Sequence, residues 1–327
     1  MIEFDLVVVG GGPAGLSAAI AAARHGLTTA LFEENQTAGG SLRYRLGEVD
    51  APNGGRLRGP AAARSLVDEL LRQRVQIATG AVAWSAYPGF VLGVTGVEAH
   101  REIQAKQVVL ATGSTDRAVA FPGSDLPGVI TGSALLRLLH VHRVWPGGKR
   151  IAIVGDGDLA NDVAEAVLVA GGEVVARGSA GGVVASGNGV VEQVTIDGAT
   201  TAADVVALCA GRQPDIAMAL ALEAATGYSA ALGGFVPVRS ESLETSLPGL
   251  FVCGSAGAVG LVAASLAEGT LAGTAAAVNA GRATSQALRQ EIVRFQAAFP
   301  ERAAATAAVP PEWTQHFVES VTAGARG

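Results

Sequence analysis

The feature that most constrains this chain lies at its start, in the run Asp5-Leu6-Val7-Val8-Val9-Gly10-Gly11-Gly12-Pro13-Ala14-Gly15, continuing to Phe32-Glu33-Glu34. A valine-rich apolar stretch reads as a buried strand. A glycine turn follows, then helical spacing over 14–25, a stop at Gly26 and a second strand over 28–32. Gly10, Gly12 and Gly15 hold the G-x-G-x-x-G spacing. The first allows a tight turn, the second lets a pyrophosphate approach the backbone, and the third lets helix pack closely on strand. Unpaired N–H groups and the positive dipole end at the helix start, around Pro13 and Ala14, suit a diphosphate. Glu33, with Glu34 beside it, ends the second strand where a carboxylate can accept hydrogen bonds from ribose hydroxyls. Strand, helix and acid together predict a site for an adenine dinucleotide or a close relative of one.

The 327 residues leave room for two such units with a well-buried core. Hydrophobic residues make up 49% and charged residues 16%, the composition of a compact protein, not a disordered one. Net charge is −6 with no long basic run, which argues against nucleic acid as a partner. The first strand begins almost at Met1, so no signal peptide is expected. The nearest thing to a membrane span, 256–278, is built of Gly, Ala, Ser and Thr around Glu268. It predicts a packed helix, no transmembrane segment and a cytoplasmic location.

After Glu33, the turn Gly39-Gly40-Ser41-Leu42 is expected to bring backbone toward a cofactor. Arg43, Arg45, Arg56 and Arg58 follow in a Gly/Pro/Asn-rich loop, either as solvated charge or as contacts to an anion or substrate. A helix over 61–74 leads into a strand at 75–79. Residues 81–106 read as short antiparallel strands with turns at Pro88-Gly89 and Gly93. Val108-Val109-Leu110-Ala111-Thr112-Gly113 then returns as a buried strand ending in glycine, and 205–211 repeats that pattern. One helix over 287–299 precedes a Pro- and Ala-rich tail whose Trp313 and Phe317 are expected to dock on this protomer or another.

A second fingerprint stands at Ile151-Ala152-Ile153-Val154-Gly155-Asp156-Gly157-Asp158-Leu159-Ala160, with Ala160 replacing the third glycine. Asp156 puts a carboxylate where a pyrophosphate would lie, and like charges repel strongly in a dry site. The next strand ends at Arg177 instead of an acid. Arg177 either meets a 2′-phosphate or marks a vestigial site, and the vestigial reading is preferred. Cys209 and Cys253 sit in separate apolar runs and read as buried free thiols. Without a Cys-x-x-Cys the chain carries neither a dithiol motif nor ligands for its own iron–sulfur cluster. No His/Asp or paired-carboxylate arrangement suggests acid–base machinery, and His25, His140 and His142 fall on helix faces or ends. No catalytic residue and no metal ligand set is assigned.

Taken together, Gly10 to Gly15 with Glu33, Ala111-Thr112-Gly113, the second fingerprint and Leu247-Pro248-Gly249-Leu250-Phe251-Val252-Cys253-Gly254 resemble the two-domain flavoproteins of the disulfide-reductase superfamily. The resemblance runs to about Val278. It implies an α/β fold of two Rossmann-like dinucleotide-binding domains, the second inserted in the first. Residues 1–113 with 234–283 would form the FAD domain, and 114–233 the second, NAD(P)-type or vestigial. Residues 284–327 would be a C-terminal helix and docking tail. It also implies an extended FAD with its adenine half on the first fingerprint. Gly254-Ser255 would run along the pyrophosphate and ribityl chain, and the last helix of the fold would point its N-terminus at the flavin pyrimidine edge.

Within that superfamily, residues 111–117, Phe121-Pro122-Gly123, Leu126-Pro127-Gly128-Val129, Gly54-Gly55-Arg56-Leu57 through Gly59, and Arg294-Phe295-Gln296 are more particular. They are similar to the larger nucleotide-binding subunit of multi-subunit amine and amino-acid dehydrogenases: opine oxidases, hydrogen cyanide synthase, D-hydroxyproline dehydrogenase and heterotetrameric sarcosine oxidase. That implies an FAD-dependent oxidoreductase subunit beside a D-amino-acid-oxidase-like flavoprotein that oxidises a C–N bond. FMN at a subunit interface is a further option. Any iron–sulfur cluster would sit in a separate small subunit, because the chain lacks a cysteine-rich cluster domain. Opine-type relatives carry Asp where this chain has Ser255; losing that charge-assisted contact costs about 1–3 kcal/mol. NAD or an adenine mononucleotide at the first site therefore stays open. So do two other readings, a stand-alone NAD(P)H-dependent flavin reductase and a non-catalytic nucleotide-binding scaffold.

Overall fold

The computed structural model describes residues 2–50, 55–96 and 100–310. β1 (Ile2–Val9) pairs in parallel with β2 (Thr29–Glu33) on one side and with the strand His100–Leu110 on the other. Leu6, Val7 and Val8 are fully enclosed, which explains a valine run without polar alternation. α1 (Pro13–Arg24) makes the crossover, and its Pro13 occupies the first helical position, where a missing N–H is no loss. The sheet has seven strands in the order Gln76–Thr79, β2, β1, His100–Leu110, Val91–Thr95, Val82–Tyr87, with Leu250–Val252 paired to the end of His100–Leu110. Along the edge facing away from β1, that long strand serves two neighbours, antiparallel along its first half and parallel at its end. Residues 250–252 thus complete a sheet begun at residue 2. α2 (Gly59–Arg72) starts and stops two residues earlier than the periodicity predicts.

The expected turn at Gly93 is not one. Gly93 lies inside the strand Val91–Thr95, and a Cβ there would come within 2.8 Å of the Trp84 ring. Glycine leaves room for an indole laid over the hairpin. Between Val82–Tyr87 and Val91–Thr95 the chain reverses at Pro88-Gly89, closed by Phe90 N–H donating to the Tyr87 carbonyl at 3.0 Å.

A second parallel sheet has the order Val129–Thr131, Val205–Cys209, Arg150–Gly155, Glu173–Gly178. α3 (Gly132–Arg137), one π-turn (Leu138–His142) and α4 (Gly157–Val169) cover one face with Leu135, Leu139, Val163 and Val167. A three-stranded antiparallel sheet covers the other, bringing Val194 and Ile196 onto Ala152 and Val154. The ribbon of Ser114–Asp116 with Arg212–Pro214 carries the chain between the two sheets, and α5 (Ala217–Ala221) follows.

α6 (Val262–Asn279) begins later than expected, because a 3-10 turn, Gly254–Ala256, comes first. Its small residues serve contact with α1: a Cβ at Gly269 would collide with the Ala14 carbonyl, and one at Gly273 with that of Ala18. Among the described residues no helix is long and apolar enough to cross a membrane. α7 (Ser285–Ala298) lies close to its predicted place, and Ile292 and Phe295 enter the first core. The segment read as a Pro- and Ala-rich tail is in part helical, α8 (Pro300–Ala307), since proline at the first position starts a helix as readily as it stops one. Trp313, Phe317 and Gly54 lie outside the described residues.

Candidate functional site

The three fingerprint glycines divide their work. Gly10 has φ 101°, and a Cβ there would collide with the Ala111 carbonyl. A Cβ on Gly15 would collide with the Gly10 carbonyl, so both positions close the contact of β1, α1 and the Ala111 segment. A Cβ on Gly12 would meet nothing nearer than the Gly40 Cα at 4.0 Å. Gly12 is bare toward open space, not toward packing.

That space is a cavity of about 540 Å³. Gly10, Gly12, Pro13 and Ala14 line it together with Glu33 and Glu34. So do Gly40, Ser41, Ala111, Thr112, Gly113 and Ser255. Three expected residues do not. Gly15 lies on the buried face of α1, Leu42 is turned by the 3-10 segment Gly40–Arg43 into the core, and Gly254 is buried beneath Ser255.

Two helices open on this cavity without a side-chain cap at the N-terminus or an acid in the first turn. α1 does so at Gly12, and α6 does so where Gly260, Val262 and Ser265 line the wall. Their free N–H groups and dipoles favour a ligand carrying negative charge. Glu33 is buried, and its carboxylate is held by three donors: Gly11 N–H at 2.7 Å, Asn35 N–H at 2.8 Å and Asn35 Nδ2 at 2.5 Å. A carboxylate accepts about four hydrogen bonds, so a fixed acceptor remains for a hydroxyl.

The opposite wall comes from residues that sequence reasoning did not assign, among them Tyr44, Ser133, Arg137, Asp116, Arg212 and Asp215. Asp116 accepts from Ser133 N–H at 2.9 Å and Ser133 Oγ at 2.7 Å, with Arg212 Nε at 3.6 Å. Thr112 Oγ1 donates to the Asp215 carbonyl at 2.8 Å. Arg45, one of the loop arginines, lines the cavity and pairs with Asp162 of α4 at 2.7 Å, while Arg137 stacks 5.7 Å above the buried Tyr44 ring. Arg43 faces a smaller cavity with Arg64 and His140, and Arg56 stays exposed beside Glu48. The only sequence signal for Asp116 is its place after Ala111-Thr112-Gly113; its partners are distant in the chain.

Both cysteines are buried, and burial pushes the Cys209 thiol up to about 12 and raises that of Cys253 as well. Neither supplies a thiolate at neutral pH. Burial, with Arg143 nearby, lowers His140. Among the described residues no group of three or more His, Cys, Asp or Glu could hold a metal ion. At the second fingerprint, Gly155 and Gly157 take positive φ and Asp156 begins α4 with no side-chain cap bond. None of these lines the large cavity, and Arg177 donates to Asn161 Oδ1 at 2.9 Å.

Residues 4–180 match the model of the pyridine nucleotide-disulphide oxidoreductase family. The chain belongs to that family. This places it among oxidoreductases and agrees with its pair of Rossmann-like parallel sheets. The sarcosine oxidase alpha chain of Rhizobium meliloti (strain 1021) is 32% identical over 305 residues, 81% of this chain and 29% of that protein. An opine oxidase subunit from Agrobacterium tumefaciens (strain Ach5) is 32% identical over 178 residues, 51% of this chain and 35% of that protein. The chain spans about a third of the length of these relatives. L-proline dehydrogenase from P. horikoshii superposes with TM-score 0.78 at 27% identity, over 90% of this chain and 59% of that one. T. acidophilum thioredoxin reductase superposes with TM-score 0.67 at 19% identity, over 86% of this chain and 99% of that one, a likeness of fold alone.

Proposed function

We propose that this oxidoreductase-family chain is the nucleotide-binding subunit of a heteromeric FAD-dependent dehydrogenase. The complex oxidises an amino acid or secondary amine, of the opine, hydroxyproline or sarcosine type, to an imine and relays the electrons onward. One observation carries the reading. A single cavity gathers the first glycine loop, the fixed carboxylate of Glu33, the Ser255 segment and two uncapped helix N-termini. No histidine or cysteine among the described residues lines it.

The residues fit an extended FAD. Gly12, Pro13 and Ala14 would hold the diphosphate, Glu33 the adenosine ribose, and Ser255, Gly260 and Val262 the flavin end. FAD, when bound, supplies the two-electron chemistry; the chain's own part is to grip, orient and exclude water. In this reading residues 1–113 with 234–283 form the FAD domain, and 114–233 form a second domain whose nucleotide site is vestigial. Substrate oxidation belongs to a D-amino-acid-oxidase-like partner in the cytoplasm, with a small iron–sulfur subunit completing the relay. The names of the relatives support this, as does a cavity lined by no histidine or cysteine among the described residues.

Co-expression with the companion flavoprotein and an amine-dependent dye-reduction assay test it. Reduction should require both chains, with an imine trapped as product. Bleaching of flavin in the isolated chain by NADH or NADPH would instead establish a stand-alone reductase and displace the proposal.

A further inference from the structure

Beneath the Ser255 end of the cavity lies a cluster of charges that the cofactor reading does not use. Glu268, in the middle of the small-residue helix α6, has no exposed surface. Its carboxylate accepts from Gly254 N–H at 2.7 Å and from Arg302 of α8 through Nε at 2.8 Å and Nη2 at 2.9 Å. Arg239, also fully enclosed, lies 3.6 Å away. Arg239 donates onward to the carbonyls of Val252 at 2.9 Å and Gly257 at 3.1 Å. Arg302 Nη2 reaches the Gly254 carbonyl at 3.2 Å. Both polar groups of Gly254, and the carbonyls on either side of the 3-10 turn, are therefore tied to three side chains from three parts of the chain. Burial works against the Glu268 charge, but Arg239 and Arg302 outweigh it and hold the carboxyl below its ordinary range. Two guanidinium groups against one carboxylate leave the cluster with one positive charge in a dry environment.

We propose that Arg302, acting through Glu268, is a positioning residue: it clamps the Gly254–Ser255 segment and places an uncompensated positive charge behind the flavin end of the cavity. The inference rests on the FAD reading for its second half and on the structure of the chain alone for its first. A planar fork suits the bidentate contact, whereas lysine would keep the charge and lose the fork.

The test compares the wild-type chain with Arg302→Lys and Arg302→Met. In the apo chains, hydrogen exchange over residues 253–258 should rise in both variants. FAD affinity should fall about tenfold in R302M and less in R302K. The midpoint potential of bound flavin should shift to more negative values in R302M and stay near wild type in R302K, a split that lost packing alone would not produce. Unchanged exchange in R302M overturns the clamp. An unchanged potential in R302M, or an equal shift in both variants, overturns the charge. Wild-type chain that takes up no FAD overturns the functional reading and the charge with it, while exchange still decides the clamp. Should R302M fail to fold, R302K carries the same test through exchange, rising if the clamp is real and staying level if it is not.

Discussion

At the scale of single residues, the two kinds of glycine give opposite expectations. Gly12→Ala meets only the Gly40 Cα at 4.0 Å and keeps an ordinary φ of −76°, so the fold should tolerate it. FAD binding should nevertheless weaken by about tenfold or more, because the methyl group stands where a diphosphate approaches. Gly15→Ala collides with the Gly10 carbonyl and should destabilise the chain by about 1–3 kcal/mol. Thermal melts and flavin titrations separate the two. Cys209 and Cys253, buried and with Cys209 at about 12, should resist alkylation in the native chain and react on unfolding; rapid native labelling of either would show the burial to be wrong. The glycine spacing was legible in sequence because its steric reason is local. The pairings of Arg45 and Arg212 were not, since Asp162 lies 117 residues from the one and Ser114 lies 98 from the other.

At the scale of elements, α1 and α2 are clipped together by Glu69. It accepts from Arg24 at 2.7 Å, from Arg72 at 2.9 Å and from Gln73 at 2.9 Å. The Arg24 contact first, then Arg72 and Gln73, lowers its carboxyl from 4.5 to about 2. A carboxyl lowered on folding contributes stability that is complete above its unfolded value and lost as pH falls through the folded one. The contribution should therefore fade between pH 4.5 and about 2. Glu69→Gln should flatten that part of the stability curve in denaturant melts, and an identical acid limb in wild type and variant would refute the clip. Element type was readable wherever period and length agreed, as in β1, α1 and α7. It failed at Gly93 and at 300–307. At Gly93 the Trp84 indole of the paired strand overruled the turn reading, and at 300–307 a helix-starting proline opened a helix in what read only as a tail.

At the scale of the whole molecule, the alternation of strands and helices revealed two Rossmann-like units. The return of 250–252 to the end of His100–Leu110 is a pairing across more than a hundred residues that no local pattern encodes. The wall opposite the glycine loop is equally non-local. Arg45 bridges to Asp162 at 2.7 Å with side chains 21% and 23% exposed. A double-mutant cycle with Arg45→Ala and Asp162→Ala should return a coupling of about 0.5–1 kcal/mol. Zero coupling would mean that the pair does not help hold the helix α4 side against the first glycine unit. The most direct measurement is a titration of the purified chain with FAD, followed by flavin fluorescence, with the bound nucleotide then released and identified. The expected result is saturable uptake of one FAD per chain, released intact. An unchanged flavin signal, or an adenine mononucleotide held in its place, would contradict the assignment of the cavity.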